Sequence, residues 1–285
     1  MVKETMTFWQ HSPLDMIPVA VTLTQLVLNF WLATTWSDRS LTEVLLLAPL
    51  CVMLLWYNVA VAIHNFIHTP WFTTKTANRI YGALNSINLG LPQILYRIHH
   101  FNHHRYENDR RGAGGLTRDY SSTFAHGRNG RQEHVITYCA LGLFRHGTAA
   151  AIRKAGQTGI MSDVWFESIA VMVALTAFLS ASWKFTIFFY LPVFYFGWCL
   201  AHLENYYEHY GASPEIRYAN SVSYYGELYN ELFCNEGYHQ EHHLRPQVHW
   251  TCRPEIREKL RKRKDTANRV VSAFPPLLGF LDSRR

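Results

Sequence analysis

Four long apolar segments constrain the fold of this chain more than any other feature of its sequence. They cover residues 14–36, 41–63, 164–182 and 185–203, and none of them contains a lysine or an arginine. A transmembrane helix needs about 20 apolar residues, so each segment is long enough to span a bilayer. The joints are very short: SDRS in the first pair, and ASWK in the second, whose first two residues end the segment 164–182. We therefore predict an all-α integral membrane protein with four transmembrane helices in two hairpins.

The alternative for these segments is four buried helices of a water-soluble protein. Two apolar hairpins would then need an unusually large core around them. The sequence of 285 residues shows no repeat and no separate domain, so we predict one membrane domain over residues 1–285. The N-terminal stretch lacks the basic region and small-residue cleavage site of a signal peptide, and the first segment is expected to stay as an anchor. The five cysteines form no C-x-x-C pair and are interpreted as reduced structural thiols.

Positive charge predicts the orientation of the spans. The chain has 27 lysines and arginines, and only Arg39 and Lys184 lie in the two short connections. Because positively charged flanking segments stay on the cytoplasmic side, we expect both termini and the middle region to face the cytoplasm. The net charge of +6 is interpreted as a topology signal, and no nucleic-acid partner is expected. The membrane would be the bacterial inner membrane or the endoplasmic reticulum.

The middle region contains two weaker apolar stretches. Residues 80–98 are interrupted by asparagine, glycine and proline and are predicted to form an interfacial or re-entrant helix. Residues 135–152 are predicted to lie on the membrane surface.

Histidine clusters are the second informative feature. Of the 16 histidines, many fall in four short motifs, which are HNFIH, HHFNHH, HLENYYEH and HQEHH. Residues four apart on a helix share a face, so His64 and His68 are expected side by side. The same holds for His202, Asn205 and His209 at i, i+3 and i+7. One such pair is weak evidence for a metal, but all four motifs are predicted at one face of the bilayer.

The number of rings indicates the kind of site. Imidazole suits first-row transition metals such as iron and zinc, and eight or nine rings exceed the coordination shell of one ion. We therefore expect two metal ions. Metal-bound rings are neutral, which explains how four histidines can crowd into HHFNHH. Nearby acids could accept hydrogen bonds from the second ring nitrogens or could be ordinary solvated loop residues; the candidates are Glu107, Asp109, Asp119, Glu208 and Glu241.

These motifs resemble those of the integral-membrane di-iron superfamily of fatty acid desaturases, alkane hydroxylases and carotenoid ketolases. HNFIH matches the H-x-x-x-H box, and HQEHH matches the third box. The second box fits twice, as H-x-x-H-H from His100 in desaturases and as H-x-x-x-H-H from His99 in hydroxylases. NYYEHYG, which contains Asn205 and His209, resembles an alkane hydroxylase signature. GYHQEHHLRP resembles ketolases and many desaturases as well.

The resemblance implies a helical membrane stem with a cytoplasmic histidine-rich cap that holds two iron ions. Either His99 or His100 is expected in the second coordination shell, with Asn205 and His202. The implied ligands are His64, His68, His99, His100, His103, His104, His209, His239, His242 and His243.

The implied reaction is the O2-dependent oxidation of an unactivated C–H bond in a lipid or hydrocarbon. Hydroxylation is expected first, and acyl desaturation or carotenoid ketolation is the alternative. Alkane hydroxylases have two more spans, whereas the four spans here match desaturases. A more distant alternative is a non-catalytic metal-binding or transport protein, but a transporter would place polar residues near the bilayer midplane, away from the predicted positions of these histidines.

The electron source is expected to be a partner protein. The chain has no flavin, nicotinamide or rubredoxin-type motif, so a rubredoxin, a ferredoxin or a cytochrome b5 would supply the electrons. A basic run behind the third box is expected either to dock such a donor or to bind anionic lipid. It comprises Arg253, Arg257, Lys259, Arg261, Lys262, Arg263 and Lys264.

Overall fold

The computed structural model describes residues 8–145, 147–262 and 269–284. The described part of the chain is mostly helical, with very little β-structure. Its α-helices are α1 (Met16–Thr34), α2 (Leu41–Tyr57), α3 (His64–His68), α4 (Lys75–Leu89), α5 (Gln93–Tyr106), α6 (Val135–Gly142), α7 (Thr148–Gln157), α8 (Met161–Ala181), α9 (Trp183–Phe185), α10 (Leu191–His209), α11 (Glu227–Leu232), α12 (His239–Leu244) and α13 (Arg253–Arg261). Two strands, β1 (Val222–Ser223) and β2 (Val270–Val271), pair in parallel.

Four helical segments are long and apolar enough to cross a membrane. They run over Pro13–Thr34, Leu41–His68, Met161–Ala181 and Trp183–His209. The bent pair of Val135–Arg145 and Thr148–Gln157 is together long enough for a fifth span. The predicted all-α membrane fold with four spans is therefore confirmed for the described residues.

Two of the spans extend beyond the predicted apolar segments. The second continues to His68 through a π-helical stretch, Asn58–Ile63, and α3. The fourth continues to His209. Apolar composition alone predicted ends at residues 63 and 203. The polar ends remain helical because they are buried in protein, with His68 5% and His209 0% exposed. The extended ends of the two spans therefore carry His64, His68 and His209.

The first hairpin turn follows from its sequence. The Ser40 hydroxyl accepts a hydrogen bond from the Glu43 backbone N–H at 3.3 Å, and the Glu43 carboxylate accepts one from the Ser40 N–H at 2.8 Å. This reciprocal capping box satisfies two N–H groups that a helix start leaves unpaired. It begins α2 directly after the four-residue connection.

The predicted helix over 80–98 is divided in two. Gly90 ends α4 in the left-handed conformation, with φ of 67°, which glycine adopts without steric cost. Pro92 then precedes the start of α5. The break lets α5 begin as a separate helix that carries the second histidine motif.

The chain divides into two compact units. The first comprises Met1–Ile94 and Ser162–Val193, and the second comprises Leu95–Met161 and Phe194–Arg285. Each unit is assembled from two separated stretches of sequence, and a single domain over residues 1–285 stays a prediction.

The first unit has an aromatic and aliphatic core. Phe178, Phe185 and Phe189 pack with Leu32 and Ala33. Burial of such side chains stabilises the unit by about 1.5–3 kcal/mol for each large residue.

The second unit has a core of tyrosines and a two-stranded parallel β-sheet. Tyr138, Tyr206 and Tyr207 form a buried cluster. Val222 on β1 pairs with Val270 on β2, which ties the C-terminal segment to the segment that precedes the third histidine box. Arg263 and Lys264 of the predicted basic run lie outside the described residues.

Candidate metal centre

Helix α5 presents its histidines on two sides. His100, His103 and His104 are spaced i, i+3 and i+4, so they share one face. His99 lies elsewhere, with its ring centroid 6.0 Å from that of Tyr120. Burial lowers the pKa of His99 to about 4, so this ring is neutral near pH 7.

Three histidines of the second unit form the first group, which we call the His104 group. It contains His100, His104 and His242. The Nε2 atoms of His100 and His104 are 2.9 Å apart, and the ring centroids of His104 and His242 are 4.6 Å apart. One ring nitrogen from each lies within 4.8 Å of the others. The structure therefore brings His100, and not His99, together with the third box.

Four buried histidines form the second group, which we call the His209 group. It contains His103, His209, His239 and His243, from α5, α10 and α12. Nε2 of His209 lies 3.0 Å from Nε2 of His103 and 3.3 Å from Nε2 of His239. The ring centroids of His209 and His243 are 4.9 Å apart. The ring nitrogens of three separate elements therefore converge on one point.

His64 and His68 belong to the first unit. Both are buried on α3, and their ring centroids are 5.4 Å apart. This is the side-by-side arrangement predicted from their i, i+4 spacing. Nδ1 of His64 also lies 3.2 Å from the Ala60 backbone oxygen.

Partners of the Nδ1 atoms orient the His209 group. Nδ1 of His103 lies 2.7 Å from Oδ2 of Asp119, and Nδ1 of His209 lies 3.1 Å from the Asn220 backbone oxygen. The Glu208 carboxylate lies 3.2 Å from Nδ1 of His239. A carboxylate or carbonyl at Nδ1 favours the tautomer that leaves Nε2 available to bind a metal.

The predicted acids differ in what they contact. Asp119 and Glu208 approach histidine rings, as predicted. Asp109 instead accepts the backbone N–H groups of Arg118 and Asp119, at 3.1 and 3.0 Å, and so fixes the loop that carries Asp119. Burial raises the pKa of Glu107, which is only half-buried and approaches Asn220.

Glu241 of the third box is held by a separate set of donors. It accepts hydrogen bonds from Ser223 and Tyr225, at 3.0 and 2.9 Å, and pairs with Arg269. None of these three partners is a histidine. Glu241 therefore positions helix α12 as a whole and does not orient an individual histidine ring.

Asn205 and His202 occupy positions that the sequence did not predict in detail. Asn205 Nδ2 donates to the Tyr138 hydroxyl at 2.6 Å, and that hydroxyl donates to the Ser121 backbone oxygen at 2.7 Å. Ser121 in turn donates to Asp119 at 2.9 Å. Asn205 thus reaches His103 through a chain of hydrogen bonds.

His202 faces a small cavity together with His99. The cavity has a volume of about 30 Å³, which is enough for one water. Nδ1 of His202 lies 2.7 Å from the Trp198 backbone oxygen. The structure therefore places His99 and His202 beside the same cavity, apart from the rings of the two groups.

Arg253 is a site residue that the sequence analysis misassigned. It was predicted as part of an exposed basic run, but it is 1% exposed. Its guanidinium donates to Glu236 at 3.0 Å and to Nδ1 of His242 at 3.1 Å. A buried guanidinium needs such partners, and the Glu236 carboxylate is one of them. Arg253 therefore contacts the third box from within, with Glu236 and Nδ1 of His242 as its acceptors.

The donor chemistry of both groups fits a transition metal. Every candidate ligand in these two groups is an imidazole, and the His209 group is buried, so its ion would be held away from bulk water. Imidazole clusters of this kind suit iron, copper or zinc. Within the residues that the structure describes, two all-histidine clusters could each bind a metal, and a further group combines Glu208 and Glu236 with His239.

Sequence comparison identifies the family. The sequence profile of the fatty acid desaturase family matches residues 41–273. The chain belongs to the fatty acid desaturase family. The desaturase family is one of membrane oxidoreductases, so the predicted superfamily, enzyme class and membrane location are confirmed. Members act on lipids with O2 and an electron donor.

Individual relatives of this desaturase-family chain are sphingolipid desaturases. A DES1-like sphingolipid delta(4)-desaturase of Oryza sativa is 28% identical over 254 residues, which cover 87% of this chain and 72% of the relative. A sphingolipid delta(4)-desaturase of Candida albicans is 26% identical, over 75% of this chain and 61% of its own length. A Caenorhabditis elegans protein described as a putative sphingolipid delta(4)-desaturase/C4-monooxygenase is 25% identical, over 78% and 60%.

Proposed function

We propose that this chain is an O2-dependent di-iron desaturase that acts on the alkyl chain of a membrane lipid. The observation that carries the proposal is the presence of two separate histidine groups in a desaturase-family membrane protein. A single-metal hydrolase or a storage site does not need two such groups.

The residues assigned to the two irons follow from the groups. The His209 group would hold one ion through His103, His209, His239 and His243. The His104 group would hold the other, together with His64 and His68, whose assignment rests on the H-x-x-x-H box of the family. His99 and His202 are assigned to support, because they face a cavity.

The protein's own side chains have three tasks in this function. When bound, the iron pair supplies the oxidising power for O2-dependent attack on an unactivated C–H bond. Asp119 and the Asn220 carbonyl hold the His103 and His209 rings in one tautomer and orientation. The buried positions of the His209 group exclude water. The Arg253 guanidinium compensates the negative charge of Glu236 inside the protein.

The substrate class favoured by the relatives is a sphingolipid. Their names describe delta(4)-desaturation of a sphingolipid, and we extend that activity to this chain. Desaturation is therefore preferred to the hydrocarbon hydroxylation expected first from NYYEHYG. Hydroxylation is the second candidate, since one relative is described as a desaturase/C4-monooxygenase. Desaturation and hydroxylation would both start with attack on a C–H bond of the same alkyl chain.

The proposed orientation places the histidines and both termini in the cytoplasm of a bacterium or on the cytoplasmic side of the endoplasmic reticulum. It is supported by the distribution of lysine and arginine. The electron donor would then approach from the cytoplasm, as a rubredoxin, a ferredoxin or a cytochrome b5.

Expression in cells that lack delta(4)-unsaturated sphingolipids tests the proposal. Mass spectrometry of the sphingoid bases should reveal a product that has lost two hydrogens. A product that has gained one oxygen would favour the second candidate. The His209→Ala variant should give neither product while remaining in the membrane fraction. If the wild-type chain, present in the membrane with its iron, leaves every sphingoid base unchanged, the proposed substrate class is wrong.

A further inference from the structure

An open groove on the second unit is separate from the cavity beside His99. Its volume is about 880 Å³. Three segments supply most of its lining: residues 130–135, residues 206–213 at and beyond the end of α10, and residues 279–283 near the C-terminus. Arg110 and Phe124 complete it. The assignments of the metal groups make no use of this groove.

The floor of the groove touches the peptide that carries His209. Gln132 lines the groove, and its Nε2 donates to the His209 backbone oxygen at 3.3 Å. Tyr210, the next residue along the chain, also lines the groove. The His209 ring itself lies 3.0 Å from His103 within the His209 group. A molecule bound in the groove would thus be one residue away from a candidate metal ligand.

The centre of the groove is aromatic. The rings of Tyr206 and Tyr210 are stacked with centroids 5.4 Å apart, and Tyr207 packs against Phe280 at 6.4 Å. Phe280 is nevertheless 58% exposed. Exposed aromatic side chains over a packed aromatic base are the typical centre of a protein–protein interface.

The net positive charge at the rim comes from Arg131, because Glu215 offsets the charge of Arg110. Arg110 and Arg131 line the groove and are exposed, although Arg110 also pairs with Glu215 at 2.9 Å. Both acids of the lining form ion pairs with arginines of the same chain. Glu133 is buried and pairs with Arg145 at 2.8 Å.

Asp282, the other acid of the lining, is also paired with an arginine. Asp282 is 5% exposed and accepts hydrogen bonds from Arg284 at 2.9 and 3.0 Å. The rim therefore complements a partner with a negative surface.

We propose that this groove is the docking surface for a small acidic one-electron carrier protein. The proposal rests on the proposed function, because it assigns the entry point of the electrons which that function consumes. Each desaturation removes two hydrogen atoms from the lipid and reduces O2 to two waters. Two of the four electrons come from the broken C–H bonds, and the carrier supplies the other two, together with two protons from solvent. Because electron transfer slows steeply with distance, docking next to His209 gives the carrier a short path to the histidines.

The groove is favoured over the basic run on α13 by its connection to the histidines. Lys259, Arg261 and Lys262 are exposed on or just beyond α13. The groove combines the exposed Arg131 with an aromatic centre and a contact to the His209 peptide. The two surfaces can be tested against each other in one experiment.

The test measures desaturation by the purified full chain as a function of carrier concentration. The carriers are the soluble haem domain of cytochrome b5 and, separately, a plant-type ferredoxin. The groove variant combines Arg131→Glu with Phe280→Ala, the rival variant combines Arg261→Gln with Lys262→Gln, and the control combines Arg153→Glu with Lys154→Glu on α7. The groove variant should raise the half-saturating carrier concentration about ten-fold and weaken its dependence on ionic strength. The rate at saturating carrier should change little, and the control should behave as wild type.

A second arm removes the carrier. Protein reduced with dithionite and then exposed to O2 should form product in a single turnover, equally in the wild type and the groove variant. If no protein forms product under these conditions, the proposed function fails, and the docking proposal falls with it. If product forms but the groove variant shows wild-type dependence on both carriers, the docking proposal alone is overturned. The same holds if only the α13 variant changes the carrier dependence, or if the groove variant merely loses binding to liposomes.

Discussion

Oδ2 of Asp119 lies 2.7 Å from Nδ1 of His103, and both side chains are buried. Burial by itself would raise the pKa of the Asp119 carboxyl, but the adjacent His103 and the hydrogen bonds from Ser121 hold that pKa well below its usual range. The ionised carboxylate fixes the ring so that Nε2 points to Nε2 of His209, 3.0 Å away. A loop residue 16 positions along the chain thus orients a candidate metal ligand.

Asp119→Asn should weaken metal binding without preventing membrane insertion. The amide keeps the shape but removes the charge that supports the His103 ring, and loss of such a partner typically costs about 10–100-fold in metal affinity. Competition with a graded series of chelators measures the affinity. Asp163→Asn is the control, since Asp163 pairs with Arg79 at 3.1 Å in the first unit. Equal affinities for both variants would show that Asp119 does not support the metal.

His100→Ala should lower iron content and activity, whereas His99→Ala should retain iron. The reason is that His100 approaches His104 at 2.9 Å, while His99 lies against Tyr120. Iron analysis of the two purified variants provides a comparison matched in position and chemistry. Loss of iron in His99→Ala with iron kept in His100→Ala would favour the hydroxylase register of the second box instead.

Asn205→Ala should be milder than His209→Ala. In the structure Asn205 donates to Tyr138, so it is expected to act through the loop of Ser121 and Asp119 rather than on the metal. Tyr138→Phe should have at least this effect, because it removes the hydroxyl that accepts from Asn205 and donates to Ser121, with a loss of about 0.5–1.5 kcal/mol for each hydrogen bond. Thermal unfolding in detergent and iron content measure the two variants. If Asn205→Ala loses as much iron as His209→Ala, Asn205 is a ligand.

Glu167→Leu should destabilise the start of α5. Oε2 of Glu167 accepts the Ile94 backbone N–H at 2.7 Å, and the Ser86 hydroxyl accepts the Gln93 N–H at 2.8 Å. Leaving a buried N–H without its acceptor costs about 1–3 kcal/mol. The thermal unfolding midpoint should therefore fall in Glu167→Leu and recover largely in Glu167→Gln, which keeps an acceptor oxygen. Equal midpoints for Leu and Gln would mean that this hydrogen bond contributes little.

Sequence patterns predicted the spans and the histidine motifs because both are local. Apolar length defines a span, and i, i+4 spacing places His64 beside His68. The ends of two spans were predicted too early, since residues near His68 and His209 are polar in sequence but buried in the fold. Tertiary burial is not visible to a hydropathy pattern.

Other features depended on contacts between distant parts of the chain. The choice between His99 and His100 is determined by which face of α5 meets His242, and periodicity alone left both open. Arg253 looked like one charge of an exposed run, but its partner Glu236 lies in a turn 17 residues earlier. The hydrogen-bond chain through Tyr138 had no sequence signal beyond the presence of a tyrosine.

Metal analysis of the purified protein tests the central claim most directly. The chain, produced with ample iron and assayed by mass spectrometry of the elements, should contain two irons per polypeptide. The His209→Ala variant should contain fewer, while remaining in the membrane fraction. A wild-type protein that holds a single zinc and no iron under these conditions would contradict the di-iron assignment.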